Sequence, residues 1–203
     1  MGRSAIIEAC CGFALLWMLS GCGPAIVGGV AGGAAVAHDS RTTGTFVEDE
    51  AIELKIINSV YQNADLNSSH INATSYNNIV LLTGEAATDD LRQRIHDLAA
   101  ATEKVRQVHD YIRVGPTSSF AARSNDTWLT TQVKTQHLRI KDFDPTRVKV
   151  VTESGVVYLM GLLNHKEGAA VAELTRRIGG VRKVVKLFEY RQAHLRQLRG
   201  WGR

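Results

Sequence analysis

The chain repeats itself at long range, and this restricts the available folds more than any composition does. Asp49-Glu50-Ala51-Ile52 opens a stretch that runs to Leu82-Thr83-Gly84. Asn125-Asp126-Thr127-Trp128-Leu129 opens a second, which runs to Leu159-Met160-Gly161. A shift of 77 residues places Asp49 on Asp126, Ile52 on Leu129, Ile56 on Val133, Ile71 on Val148 and Gly84 on Gly161. Past the glycine one residue is lost, and Val105-Arg106-Gln107-Val108 meets Val181-Arg182-Lys183-Val184. In a chain of 203 residues such a repeat means two small domains rather than one large one.

The N-terminus belongs to neither copy. Arg3 precedes an apolar run, Phe13 to Leu19, of signal-peptide length, although Glu8 in front of it is unusual. Gly21, Gly23 and Pro24 interrupt that run before it reaches the roughly 20 residues of a membrane span. Leu19-Ser20-Gly21-Cys22 resembles a bacterial lipobox, in which the cysteine is acylated and becomes the first mature residue. Cys10 and Cys11 would leave with the signal, so neither a disulfide framework nor a thiolate metal site is expected. Several acyl chains hold a protein on its bilayer where one does not. Gly23 is not the aspartate of an inner-membrane retention signal, which favours the outer membrane. The expected organisation is a signal peptide over 1–21, the acylated Cys22 with a Gly/Ala-rich tether to 45, a first domain over 46–115 and a linker over 116–123. A second domain over 124–190 and a basic tail over 191–203 follow. Gly28-Gly29-Val30-Ala31-Gly32-Gly33 follows no strand and has no lysine, so it reads as tether and not as a phosphate loop.

Each copy has the same pattern. Ile52, Ile56 and Val60 recur at helical spacing between Glu48 and Gln62. Ile71 to Ser75 and Ile79 to Thr83 read as strands joined at Asn77-Asn78, where asparagine tolerates positive φ. A helix over Asp89–Thr102 and a third strand over Val105–Val114 complete the unit. In the second copy the order is a helix over Asp126–Ile140, strands over Val148–Thr152 and Val156–Met160, a helix over Glu167–Ile178 and a strand over Val181–Tyr190. Gly179-Gly180 is expected to cap the last helix. The fold class is α+β: two tandem αββαβ units, each a three-stranded mixed sheet with two helices on one face. At about 65 residues each unit is near the lower size for independent stability, so mutual packing is plausible.

This order, with the glycine at the end of the second strand and the closing strand after Gly-Val or Lys-Val, resembles the BON domain. Ser124 to Trp128, Val148-Lys149-Val150, Leu159-Met160-Gly161 and Asp39 to Gly44, behind a lipobox, resemble the dual BON-domain lipoproteins of the bacterial outer membrane. The basic tail, Ala193 to Arg203, departs from that pattern. The resemblance implies a non-enzymatic role in outer-membrane integrity, with the second BON domain on anionic phospholipid. The alternative is an envelope scaffold that docks outer-membrane assembly or division proteins.

No catalytic pattern stands against this. Seven histidines are scattered without metal spacing, and no G-x-S-x-G is present. No cofactor or metal is expected. A hydrolase would need folding to bring His165 beside a serine and a carboxylate. Asp89-Asp90 reads as a helix N-terminal turn. Gly84 and Gly161 read as strand-end glycines that permit a bulge or a close helix approach.

Charge separates the copies. Residues 46–115 hold six Lys and Arg against eleven Asp and Glu, while 126–190 hold eleven against seven. The tail adds Arg191, Arg196, Arg199 and Arg203 with no acid. A basic half attracts an anionic partner. Export makes nucleic acid an improbable one and leaves the anionic lipid surface. At 100° per residue from Trp128, the stripe Leu129, Val133, Gln136 and Ile140 falls between about 80° and 140°. Leu138 falls almost opposite it, with Lys134 and Lys141 beside Leu138. The expected phospholipid-binding residues are therefore Trp128 and Leu138 as apolar contacts, with Lys134 and Lys141 on phosphate; Cys22 is the lipid-attachment residue. A competing reading packs Trp128 against the first domain. The first copy has Ala51 and Tyr61 at the matching positions with Glu50 and Glu53 nearby, a less apolar and more acidic face. Leu195, Leu198 and Trp201 between the tail's arginines form a basic amphipathic pattern, read equally as a membrane-surface segment or a soluble end.

Overall fold

A computed structural model describes residues 42–190. Cys22, the Gly/Ala-rich stretch and the basic tail lie outside the described residues. The elements are α1 Thr43–Gln62, β1 His70–Tyr76, β2 Ile79–Ala86, α2 Asp89–Ala100, β3 Gln107–Asp110 and β4 Arg113–Val114, then α3 Phe120–His137, β5 Val148–Glu153, β6 Val156–Leu163, α4 His165–Arg176 and β7 Lys183–Tyr190. The αββαβ order thus occurs twice, and the fold is α+β. In each copy an antiparallel hairpin carries a parallel third strand, giving the orders β1-β2-β3 and β5-β6-β7.

In the first copy the third strand is split. Asp110, held by Arg92 at 2.9 Å, accepts the Ile112 N–H at 2.9 Å. That bond takes the backbone out of the ladder before β4 rejoins β2 at Glu85↔Arg113. The corresponding β7 is unbroken over eight residues.

The aspartate that opens each repeat explains each hairpin. Asn77 and Asn78 take φ of 53° and 63°, and Ser154 and Gly155 take 50° and 71°. Two left-handed residues in a row expose both turn N–H groups on one side. Asp49, fully buried, accepts from the Asn77 and Asn78 N–H groups at 2.8 Å and from the Ser75 hydroxyl at 2.6 Å. Asp126 accepts from the Ser154 and Gly155 N–H groups at 2.8 Å. The first helix of each unit is thereby pinned to its own hairpin.

The repeated glycine lies inside its strand, and what approaches it is the neighbouring segment of the hairpin: β1 at Gly84, and at Gly161 the 3-10 turn Pro145–Arg147 that leads into β5. Gly84 pairs with Ile71 at φ +114°, and a Cβ there would sit 1.9 Å from the His70 carbonyl oxygen. A Cβ on Gly161 would sit 2.7 Å from the Arg147 carbonyl oxygen. The expected glycine cap of α4 is also displaced. The cap is Arg177 in the right-handed region, and the left-handed residue is Gly180 at φ +92°, packed against Leu129.

Each helical pair covers one face of its sheet. Ile52, Ile56 and Val60 of α1 meet Ile95, Ala99, Ile71, Val80 and Leu82. Val133 of α3 meets Val148, Val150, Val157, Leu159, Val171 and Ala172. The other two faces cover one another. Tyr76, Ile79 and Leu81 of the first sheet pack on Tyr158 and Met160 of the second, with Val151, Val185 and Leu187 around them. β2 is consequently buried along its whole length. Polar contacts rim this interface. Lys149 reaches Glu53 at 2.6 Å, the Ser75 carbonyl at 3.1 Å and Glu50 at 3.5 Å. Glu189 accepts from Asn77 at 2.5 Å and Arg106 at 3.1 Å, and Tyr111 packs on Tyr158 at 4.9 Å. Burial lifts the Glu53 carboxyl above its ordinary range, and the Lys149 ammonium opposes that without overturning it.

Candidate lipid-contact surface

α3 begins inside the stretch read as linker. Ser119 caps it by accepting the Ala122 N–H at 3.2 Å, so the helix starts at Phe120, whose side chain is 78% exposed. A serine before an uninterrupted helical stretch was the available signal. The buried stripe is Asp126, Leu129, Val133 and His137. Gln136, placed on that stripe by its angle, is only half-buried and lines a groove instead. The polar member of the stripe is His137. It is buried, hydrogen-bonded to Thr175 at 2.9 Å, and pushed down to about 4 by desolvation.

The helix ends at His137. The Arg139 and Ile140 N–H groups bond three residues back, Asp142 takes φ 55°, and Ile140 and Phe143 turn into the core. Lys141 therefore leaves the helical line that placed it beside Lys134, and both lysines are exposed.

The expected residues are split between two depressions. Leu138, 70% exposed, and Lys134 line a cleft of about 710 Å³ with Val148, Val150 and Lys149 and, from the first domain, Glu50 and Glu53. Trp128, 54% exposed, lines a groove of about 350 Å³ between α3 and α4 with Gln132, Gln136, Leu174 and Arg177. Every residue lining the Trp128 groove belongs to the second domain. Phe120 and Leu138 stand five turns apart on one stripe of the helix, about 27 Å. Lys134, Arg139 and Lys141 form no ion pair among the described residues, whereas Arg147 pairs with Glu167 at 2.7 Å.

The first copy is more apolar on its outer face than its matched positions suggested. Val47, Leu54 and Tyr61 are 61%, 63% and 49% exposed, while Ser124, Thr131 and Leu138 occupy the same stripe of α3. Matching only Ala51 and Tyr61 overlooks Leu54.

His165 stacks on Tyr190 at 4.1 Å rather than joining a serine and a carboxylate. Among the described residues no cluster of His, Cys, Asp and Glu could hold a metal, and no helix is long and apolar enough to cross a membrane.

The BON domain family matches residues 48–116 and 125–192. Outer membrane lipoprotein DolP of Haemophilus influenzae is 41% identical over 173 residues, covering 85% of this chain and 90% of DolP. The 21 kDa hemolysin of Actinobacillus pleuropneumoniae is 37% identical, covering 76% and 80%. Osmotically-inducible protein Y of Escherichia coli is 27% identical, covering 75% and 77%. The chain belongs to the BON family, as a two-domain protein of the DolP-like outer-membrane lipoprotein type.

Proposed function

We propose that the protein binds anionic phospholipid through its second BON domain and so supports outer-membrane integrity. The observation that carries this reading is the outer side of α3 and the turn after it. Leu138 is exposed there beside Lys134, Trp128 is exposed in the neighbouring groove between α3 and α4, and Lys141 is exposed in the turn; neither lysine is paired with an acid among the described residues. Phe120 and Arg139 extend the same surface. Two apolar side chains entering a headgroup layer contribute roughly 1.5–3 kcal/mol each, and each nearby lysine contributes about 1 kcal/mol on an anionic surface. That is weak for a free protein. It is enough for one held at its bilayer by acylated Cys22, because tethering raises the effective concentration.

The test is binding of the two-domain chain without its N-terminal segment to vesicles with and without phosphatidylglycerol. Binding should need the anionic lipid and fall with Trp128→Glu, Leu138→Glu, or Lys134→Glu with Lys141→Glu. Equal binding to neutral vesicles, or no response to these changes, overturns the reading. Capture of a protein instead of lipid by a photocrosslinker at Trp128 would favour the scaffold alternative.

A further inference from the structure

We propose that the exposed stripe of α1 is a docking site for the chain's own C-terminal segment, residues 191–203. Val47, Leu54 and Tyr61 recur every seven residues, nearly two helical turns, so they share one face opposite the buried Ile52, Ile56 and Val60. Ala51 and Asn58 lie between them, also exposed. A run of this kind on a helix asks for a partner.

Three observations select the occupant. The first is where the described chain ends. Glu189, next to the last described residue, bonds Asn77, and the Asn77 N–H bonds Asp49 of α1. The tail therefore starts near the N-terminal half of the helix it would cover, on the side of buried Asp49, and has to pass round the helix to reach the stripe. From Asp49 to Tyr61 the helix rises about 18 Å, and thirteen residues extend to about 40 Å. The second is charge. Glu50 flanks the stripe on one side, where Lys149 reaches it at 3.5 Å, and Glu103, on the other, is 74% exposed and pairs with Lys55 at 3.3 Å. These acids sit in the copy that holds eleven acids against six bases. They disfavour an anionic bilayer as the occupant and suit Arg191, Arg196, Arg199 and Arg203. The third is apolar match. Leu195, Leu198 and Trp201 alternate with those arginines and supply three apolar side chains for a stripe of three. Because the segment is part of the same chain, a weak contact is populated. This inference stands apart from the lipid reading, which uses neither α1 nor the tail.

The test is thiol crosslinking of the full-length protein in intact cells, with Leu54→Cys paired to Leu198→Cys. A Lys166→Cys and Leu198→Cys pair is the control, since His165 stacks on Tyr190 and so places that site nearer the tail's origin. Protein without added cysteines sets the background from Cys10, Cys11 and Cys22. The Leu54 pair should form an intramolecular link about tenfold faster than the control. Equal rates overturn the proposal. Links only between molecules assign the stripe to a second copy, and labelling of Leu54→Cys by a bilayer-embedded probe assigns it to lipid; both overturn it. A second measurement uses trypsin cleavage after Arg196 and Arg199. Leu54→Glu, at an exposed site that leaves the core intact, should speed cleavage about tenfold. An unchanged rate overturns the proposal as well.

Discussion

The two BON domains use one frame with different fillings. In the first, Val60 of α1 and Ala99 of α2 face each other as apolar core residues. At the same places in the second stand His137 of α3 and Thr175 of α4, joined by a buried hydrogen bond. The hairpin clasp persists with different chemistry as well: Asp49 accepts from two turn amides and a hydroxyl, Asp126 from two turn amides. The outer stripe differs in the same sense, apolar and acid-flanked on α1 but threonine-rich and cationic on α3. Backbone geometry is therefore what the repeat preserves. Core polarity and surface charge are free to diverge wherever the new groups are satisfied.

Substitution at the paired glycines would break the comparison most severely. Gly84→Ala puts a Cβ against a carbonyl oxygen at a left-handed φ, and unfolding in urea should show a loss of about 3–5 kcal/mol. Gly161→Ala meets a longer contact and should lose about 1–3 kcal/mol. A ranking in the reverse order would mean that the strand pairing, not the glycine, sets the cost.

The clasp comes next. Asp49→Ala leaves two buried turn amides and the Ser75 hydroxyl short of an acceptor and should cost about 3 kcal/mol, against about 2 kcal/mol for Asp126→Ala. Asp49→Asn, which keeps one acceptor oxygen, should lie between Asp49→Ala and the unaltered chain. Circular dichroism melts of the three variants would order them.

Acid should then separate the domains. The His137 value of about 4 lies below the unfolded 6.5, so the unfolded chain takes the proton first. The stability held by neutral His137 is complete above pH 6.5 and is lost as pH falls toward 4, about 3 kcal/mol over that window. Replacing the pair with the first domain's residues, His137→Val with Thr175→Ala, should flatten that slope. Stability measured at pH 7 and pH 4.5 would expose a slope that persists.

The smallest effect concerns the join between the copies. Lys149→Ala removes the cation that bridges Glu53, Glu50 and the Ser75 carbonyl, while the apolar sheet-to-sheet contact remains. A loss of about 1–2 kcal/mol is expected for this part-exposed pair. A single unfolding transition splitting into two would show that Lys149 couples the domains.

Much of this was legible before folding. The repeat located both units, and the Ile52/Ile56/Val60 and Leu129/Val133 spacings located the buried faces. The continuous apolar runs Ile79 to Leu82 and Val156 to Met160 also carried a signal that alternation alone misses: a strand covered on both faces. Wheel angles served poorly at the helix end, because they assume a helix that Ile140 and Phe143 pull into the core. Hence Lys141 left its expected place, whereas Trp128 and Leu138 line separate depressions because they stand about 80° apart round the helix.

The sequence by itself determined the unit, its order and its duplication, because period, turn residues and capping groups act over a few neighbours. It also determined the charge division, which is additive. Only the tertiary structure decided that the two sheets bury their free faces together, that Lys149 crosses to Glu53, and that Asp49 and Asp126 hold hairpins nearly thirty residues away. Those contacts join residues distant in the chain, and their free energy depends on burial and on the direction of each polar group, which no local pattern encodes.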